Sequence, residues 1–315
     1  MALSEFELIR RYFTRQTPTN AVTQLGIGDD CAILQIPSDK RLAITTDTMV
    51  ENVHFFADVA PCYLGHKLLA VNLSDLAAMG AKPIAVSLAL TLPNVDEVWL
   101  AAFAQGFSEL AKRYDVELIG GDTTQGPLTL TVEAMGLLPE GNALLRSDAK
   151  PGDLIFVSGP IGDAGLGLKI LQGYACLQPE QALARLHTPM PRVELGLALL
   201  DVANACIDIS DGLAADLTHI LQQSGVGAVI TFEAIPLSSA VLAYIDATGD
   251  SLMPLIAGDD YELCFTVAPE KAHLVPEGCY QIGVIEEQPG LRLAKSGFIE
   301  SFKRQGYEHF SANSR

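Results

Sequence analysis

The stretch from Val71 to Pro83, VNLSDLAAMGAKP, constrains the fold of this chain more than any other. Its pattern predicts a strand end that runs directly into a helix, with Ser74 and Asp75 at the helix start. The alanines and the glycine that follow leave one helix face almost without side chains, so another backbone can approach it closely. Asp75 then has two interpretations: it complements the helix dipole, or it is a metal ligand.

The length of 315 residues predicts about two domains, because domains contain roughly 150 residues. Hydrophobic residues make up 49% of the chain and charged residues 18%, which is typical of a globular protein. A turn signal, KPGD at residues 150–153, follows a completed strand. We therefore expect an N-terminal domain over residues 1–148, with several strands and two longer helices, and a C-terminal domain over residues 149–315.

Charge and hydropathy argue against several classes of partner. The formal net charge of −18 disfavours nucleic acid and anionic membrane surfaces as partners. An acidic protein that binds phosphates must do so through cations. No run approaches the roughly 18 apolar residues of a membrane span, and the N-terminus has no signal-peptide core. The six cysteines form no CxxC pair, which favours reduced thiols in a cytoplasmic protein over disulfides or zinc.

Aspartates recur beside Gly, Ser or Thr where the sequence predicts strand ends. They are Asp29, Asp30, Asp47, Asp75, Asp122, Asp208, Asp211, Asp259 and Asp260. Thr45 and Thr46 add hydroxyl groups beside Asp47, and such hard oxygen ligands suit Mg²⁺. One such junction is an ordinary turn, but the repetition predicts a dense carboxylate site that requires divalent cations. Because the ligands are oxygens without His or Cys pairs, Mg²⁺ or Mn²⁺ is favoured over zinc.

Two other loops have partial ligand motifs that fail on inspection. The glycine loop at residues 159–167 lacks the Gly-Lys-Ser/Thr ending of a P-loop, and no register gives a dinucleotide fingerprint. The segment from Asp208 to Gly212 lacks the alternating ligands and the closing Glu of an EF-hand. We therefore assign no nucleotide to the first loop and no calcium to the second.

Six motifs resemble, in order and across nearly the whole chain, those of the thiamine-monophosphate kinase family. They are GIGDDCA (26–32), TTDTMVENVHF (45–55), NLSDLAAMGAKP (72–83), GGDTT (120–124), IDISDGL (207–213) and GDDYEL (258–263). The superfamily also includes aminoimidazole ribonucleotide synthetase, selenophosphate synthetase and a hydrogenase-maturation protein. The NLSDLAAMGA type of stretch is shared among these proteins, whereas the VENVHF and DYEL segments are more discriminating.

The resemblance implies a two-domain α/β (α+β) fold like that of aminoimidazole ribonucleotide synthetase. It implies a homodimer in which the N-terminal sheets of two subunits pair into a barrel, with ATP and several Mg²⁺ ions bound at that interface. The N-terminal domain would bind ATP and Mg²⁺ and form the dimer. The implied reaction transfers the γ-phosphoryl group of ATP to thiamine monophosphate, giving thiamine diphosphate in the last step of its biosynthesis.

The resemblance also implies roles for residues at matching positions. The implied Mg²⁺ ligands are Asp30, Thr45, Thr46, Asp47, Asp75, Asp122, Asp208 and Asp211. The implied ATP contacts are Gly121, Asp122, Arg146 and Ser210, and the implied acceptor contacts are His54, Asp259 and Tyr307. Two positions depart from the family pattern, because Asp259 stands where Glu is usual and Tyr307 where Trp is frequent. Both departures affect the implied contacts to the phosphate acceptor more than the implied reaction.

The chemistry of this reaction fits the residues independently of the family. The acceptor phosphate has a second pKa of about 6, so it is largely ionised at neutral pH. No catalytic general base is therefore expected, and none stands out in the sequence. Arg146 is the best candidate for a direct cationic contact to phosphate, although an Arg after a strand is usually a solvated side chain.

Two alternatives stay open at the level of sequence. The first is another ATP-dependent activity of the superfamily. Selenophosphate synthetase is disfavoured because there is no Cys-rich N-terminal loop, and the hydrogenase-maturation protein because the last residues, SANSR, contain no Cys. The second is a non-catalytic sensor that binds Mg-nucleotide or a thiamine phosphate. Binding of these ligands without turnover would favour the sensor.

Overall fold

The structure, a computed structural model, describes residues 5–14, 16–302, 306 and 307. These residues divide into two compact units. The N-terminal unit contains the chain up to Leu76 together with Ala81–Asn142, and the C-terminal unit contains Ala77–Gly80 and the chain from Ala143 onward. Within the described residues, no helix has both the length and the apolar character that a membrane crossing requires.

The N-terminal unit is built on a mixed sheet of four strands. Its elements are α1 (Glu5–Tyr12), β1 (Thr23–Leu25), β2 (Ile33–Leu34), β3 (Lys40–Val50), α2 (Pro61–Ala78), β4 (Lys82–Leu92), α3 (Glu97–Arg113), β5 (Glu117–Gln125) and β6 (Thr129–Pro139). The strand order is β3-β6-β4-β5, in which only β4 and β5 run parallel. Strands β1 and β2 form a separate antiparallel pair.

The predicted strand ends at two aspartate motifs are wrong. Strand β3 continues through Thr45–Asp47 to Val50, and β5 includes all of Gly120–Thr124. The glycines suggested a turn after Ile119, but Gly121 lies within β5 and allows that strand to pack closely against β4. With its φ of 149°, Gly121 lies so close to β4 that an added Cβ would be 1.8 Å from the Leu88 carbonyl oxygen. The glycine is therefore required by strand packing.

The predicted helix start at Ser74 and Asp75 is also wrong, because both residues lie in the last third of α2. Leu64, Leu68 and Leu76, spaced by four and then eight residues, are buried along one face and extend the helix through the motif. The helix ends in a Schellman motif, in which the Gly80 N–H donates to the Ala77 carbonyl and the Ala81 N–H to the Leu76 carbonyl. Gly80 has the required left-handed conformation, with a φ of 70°.

Close packing of α2 is confirmed, and it uses glycines on the neighbouring helices. A Cβ added at Gly106 of α3 would fall 1.9 Å from the Cys62 carbonyl oxygen at the start of α2. At the other end of the helix, a Cβ at Gly196 would fall 2.0 Å from the Ala77 carbonyl oxygen. Because no side chain fits at Gly106, this glycine sets the distance between α3 and the helix that carries Asp75, whereas the contact of Gly196 with Ala77 lies within the C-terminal unit.

The C-terminal unit contains a seven-stranded sheet. Its elements are β7 (Leu154–Val157), α4 (Asp163–Leu171), α5 (Glu180–His187), α6 (Val193–Leu199), β8 (Ala205–Asp208), α7 (Leu213–Ser224), β9 (Gly227–Thr231), α8 (Ser239–Thr248), α9 (Met253–Ile256), β10 (Leu263–Val267), β11 (Tyr280–Glu286), β12 (Gly290–Lys295) and β13 (Phe298–Phe302). The strand order is β13-β12-β9-β11-β7-β10-β8, and only β9 and β12 run parallel.

The core of this unit lies between the sheet and α7. Ile155, Ile207 and Leu217 are fully or almost fully buried there. Cys206 and Cys264 are buried in β8 and β10, and burial raises the pKa of both thiols. All six cysteines are free thiols, but the prediction of buried thiols holds only for these two, since Cys31 is exposed and the other three are partly exposed.

A buried carboxylate, Glu262, joins β10 to the helical side of this unit. Arg185 Nη2 donates to Glu262 Oε1 at 2.5 Å and Arg192 Nε donates to Oε2 at 2.7 Å. Arg192 Nη2 and Ser158 Oγ donate to the same carboxylate. The Glu262 side chain is 0% exposed, so its charge is compensated entirely by these donors.

We expect Gly106→Ala to lower the free energy of unfolding by about 1–3 kcal/mol, because the methyl group forces α2 and α3 apart. This loss exceeds the gain in helix propensity, which is about 1 kcal/mol. Urea denaturation measures the difference. The control is Gln105→Ala at the neighbouring exposed position, which should change stability by no more than about 0.5 kcal/mol. Equal stabilities for the two variants would contradict the tight contact.

We expect Glu262→Ala to cost about 3–5 kcal/mol of unfolding free energy, because it leaves two partly buried guanidinium groups without their acceptor. The matched control is Glu286→Ala. Glu286 pairs with Arg292 but its side chain is 40% exposed, so its loss should cost about 1 kcal/mol or less. Chemical denaturation of both variants tests this ranking, and similar losses would show that burial does not strengthen the Glu262 cluster.

Candidate functional site

Strand β3 and helix α2 bring two of the predicted carboxyl groups together in the N-terminal unit. Asp47 and Asp75 share a hydrogen bond. Thr45, two residues before Asp47 and hence on the same strand face, donates its Oγ1 hydrogen to Asp75 Oδ2 at 2.5 Å. The alternation of strand side chains thus explains why Thr45 and Asp47 face the helix together.

The proximity of Asp75 changes the acidity of Asp47. Burial and the adjacent Asp75 carboxyl group raise the pKa of Asp47 to about 7. Two carboxyl groups in contact repel each other when both are ionised, and a divalent cation removes that repulsion. With the Thr45 hydroxyl they form an all-oxygen donor set that fits Mg²⁺, which commonly uses one or two protein carboxylates, water and substrate phosphate.

Thr46 and Asp122 lie on the opposite face of the same sheet. Thr46 alternates with Thr45, and Asp122 shares a cross-strand row with Ala89, Thr131 and Thr48. Three strand spacings of about 4.8 Å place Asp122 roughly 14 Å from β3. Within one chain, the side chains of Asp122 and Asp47 are therefore too far apart to bind the same metal ion.

Asp30 is exposed in the loop between β1 and β2, where its N–H donates to Asp29 Oδ1 at 3.0 Å. The next residue, Cys31, is exposed as well. Among the residues that the structure describes, no three His, Cys, Asp or Glu side chains form a group able to hold a metal ion. Within the described part of the chain, Asp47 and Asp75 form a contacting pair of predicted ligands, and the denser cluster stays a prediction.

His54 lies just after β3 and is half-buried. Its Nδ1 accepts a hydrogen bond from the Val50 N–H at 2.9 Å, which leaves the proton of the neutral ring on Nε2. The tight turn that holds it includes Asn52, which has a φ of 62°. The imidazole is therefore fixed in one tautomer as a donor through Nε2.

The loop after β8 collects three predicted residues of the C-terminal unit, namely Asp208, Ser210 and Asp211. Asp208 is the buried last residue of the strand. The N–H groups of Ser210 and Asp211 both donate to Asp216 Oδ2 at 3.0 Å. Asp216, in the first turn of α7, thus fixes the loop that precedes its helix.

Asp216 is a functional candidate that the sequence analysis missed. Burial and the nearby Asp211 charge raise its pKa to about 7, while the Arg146 guanidinium lowers it in part. The Arg146 guanidinium thus lies within electrostatic range of Asp216, the residue that holds this loop. The available signal was spacing, since the Asp five residues after Asp211 lies in the first turn of a helix that starts at Leu213.

The segment from Gly258 to Glu262 packs against the same loop. The Asp259 N–H donates to the Ser210 carbonyl at 2.9 Å and the Tyr261 N–H donates to the Ile209 carbonyl at 2.8 Å. Tyr307 also lies here, because its N–H donates to the Asp211 carbonyl at 3.1 Å. The C-terminal unit therefore brings together Ser210, Asp211, Asp259 and Tyr307, which are far apart in sequence.

Comparison with known proteins gives two matches to protein families. Residues 28–138 match the N-terminal domain of AIR synthase related proteins. Residues 150–295 match the C-terminal domain of the same proteins. The two-domain α/β fold expected from the sequence is thereby confirmed.

Curated relatives match along almost the full length. Thiamine-monophosphate kinase of Haemophilus influenzae is 48% identical, with 98% of this chain and 99% of the relative covered. That of Salmonella typhimurium is 45% identical, with 99% of each covered. The enzyme of Escherichia coli K12 is 46% identical, with 99% of each covered.

Solved structures show the same relationship. The crystal structure of thiamine-monophosphate kinase from Stenotrophomonas maltophilia has a TM-score of 0.83 and 42% identity, with 94% of this chain and 98% of the other covered. AaThiL complexed with AMPPCP and TMP has a TM-score of 0.79 and 30% identity, with coverages of 88% and 89%. The hydrogenase maturation protein HypE in complex with ATP has a TM-score of 0.80 at 20% identity and therefore shares the fold. The chain belongs to the thiamine-monophosphate kinase family of the AIR synthase related proteins.

Proposed function

We propose that this protein is an ATP-dependent kinase that phosphorylates thiamine monophosphate to thiamine diphosphate. The observation that carries the proposal is the near full-length similarity to curated thiamine-monophosphate kinases. A structural neighbour was solved with AMPPCP and TMP, an ATP analogue and the phosphate acceptor. The contact between Asp47 and Asp75 supports a reaction that depends on divalent cations.

The proposed mechanism is direct in-line transfer of the γ-phosphoryl group. Asp47, Asp75 and Thr45 would hold Mg²⁺, which when bound offsets the repulsion between the two phosphate chains. The acceptor oxygen is already ionised near neutral pH, so the protein has no proton to remove from it. The chain's part is to bind and align the two substrates, which is the main source of rate in such reactions.

The other predicted site residues lie partly in the N-terminal unit and partly in the C-terminal unit, and each has a proposed role. Asp30, Thr46, Asp122, Asp208 and Asp211 are proposed as further Mg²⁺ ligands. Nucleotide contacts are proposed for Gly121, Asp122, Arg146 and Ser210, and acceptor contacts for His54, Asp259 and Tyr307. For Arg146, its electrostatic contact with Asp216 supports a place beside Ser210.

We also propose that the protein is a cytoplasmic homodimer. The outer face of β3 supports pairing, because Leu42 is 37% exposed and Ile44 is 58% exposed on this edge strand. Pairing of two sheets would cover these side chains. Residues 1–148 would then bind ATP and Mg²⁺ and form the dimer, and residues 149–315 would complete the enzyme.

We expect the purified protein to convert ATP and thiamine monophosphate into equal amounts of ADP and thiamine diphosphate in the presence of Mg²⁺. Chromatography of all four compounds measures the reaction, and a chelator should abolish it. Folded protein that forms neither product would overturn the proposal. If such protein still binds thiamine monophosphate or Mg-nucleotide, it is a sensor and not a kinase.

We expect Asp75→Asn to lower Mg²⁺-dependent turnover by at least about 100-fold, since metal ligation supplies several kcal/mol of charge stabilisation. The pKa of Asp47, measured by NMR titration, should fall below its value of about 7, because one cause of its elevation is removed. The control is Asp115→Asn, an exposed carboxylate in the same unit whose left-handed backbone suits Asn. Near-normal turnover of Asp75→Asn at limiting Mg²⁺ would remove Asp75 from the site.

A further inference from the structure

The turn from Gly258 to Glu262 has an unusual backbone. Asp259 has a φ of 69° and Tyr261 a φ of 49°, and the left-handed region is uncommon for residues other than glycine. Gly258 is pressed against the neighbouring loop, since an added Cβ would fall 2.2 Å from the Ser210 carbonyl oxygen. Such a conformation persists only where surrounding contacts hold it.

Those contacts come from side chains that alternate along the turn. Asp260 and Glu262 are buried, and the Gly162 N–H donates to both Asp260 oxygens at 2.9 and 3.0 Å. Glu262 is held by Arg185 and Arg192, as described above. These two carboxylates anchor the turn to the interior of the C-terminal unit on either side of Tyr261.

Between these anchors, Tyr261 bonds to the side chain of Asp259. Its Oη donates to Asp259 Oδ1 at 2.9 Å, and the tyrosine side chain is buried while Asp259 is half-exposed. The bond spans only two residues of the turn, so the phenol orients the carboxylate from a fixed position. The left-handed conformation of both residues is what directs the two side chains toward each other.

We propose that Tyr261 is a positioning residue for the phosphate acceptor, because its hydroxyl holds the Asp259 carboxylate in the orientation that binds the acceptor. The inference rests on the proposed function, in which Asp259 contacts thiamine monophosphate. The acceptor carries a thiazolium cation, and an ionised carboxylate with a fixed orientation attracts a cation more strongly than a rotating one.

The test is Tyr261→Phe, which removes one oxygen atom and keeps the ring. We expect the KM for thiamine monophosphate to rise about three- to tenfold, as loss of one hydrogen bond predicts. The KM for ATP and kcat should change less than about twofold, because the hydroxyl donates to Asp259, which is a proposed acceptor contact and not a proposed nucleotide contact. Calorimetric titration with thiamine monophosphate alone should show the same weakening of binding.

The matched control is Tyr244→Phe in the same unit. Tyr244 is also buried, and its Oη donates to Asp250 Oδ2 at 3.2 Å. This variant should leave both KM values unchanged, although it loses the same kind of bond. The proposal is wrong if Tyr261→Phe keeps the wild-type KM for thiamine monophosphate, or if both KM values rise equally. Failure of the proposed function is a separate result, in which the wild-type protein forms no thiamine diphosphate.

Discussion

Repulsion between partly buried carboxyl groups is the constraint on which the organisation of this protein depends. Asp47 and Asp75 meet where strand β3 faces helix α2, and the raised pKa of Asp47 records the energetic cost of its desolvation and of that contact. The contact requires α2 to lie in one position. The close approach of α3 to α2 at Gly106 holds the helix in that position. In the C-terminal unit, the charge of the buried Glu262 carboxylate is compensated by ion pairs with two arginines.

Periodic segments of the chain could be predicted because their packing follows from local sequence. Apolar residues at helical spacing, such as Leu100, Phe103 and Phe107, form the buried face of α3, and a glycine, Gly225, forms the C-cap of α7. The predicted element boundaries were wrong where residues typical of turns and helix starts lie inside a helix or a strand. Ser74 and Asp75 look like a helix start, yet the buried leucines of α2 continue through them. Gly120 and Gly121 look like a turn, yet β4 approaches too closely for any side chain at Gly121.

The candidate site was predictable to the extent that its residues lie in motifs. Thr45, Asp47 and Asp75 were named from sequence, and the structure joins them, but their alternation along a continuous strand was not foreseen. Asp122 could not be excluded from this group, because its distance from Asp47 depends on the strand order β3-β6-β4-β5. Asp216 and Tyr261 were missed because their roles arise from bonds to Ser210 and Asp259 that only the folded chain defines.

The distribution of the cysteines determines where this protein is chemically vulnerable. Cys206 and Cys264 are buried and their thiols stay protonated, so they resist alkylation and oxidation. Burial and nearby Glu262 raise the pKa of Cys279 to about 11, which protects it in the same way. Cys31, in contrast, is exposed and directly follows Asp30. Thiol-reactive compounds and oxidants should therefore modify the chain first beside a proposed metal ligand, so a reducing agent during storage protects the site as much as the fold.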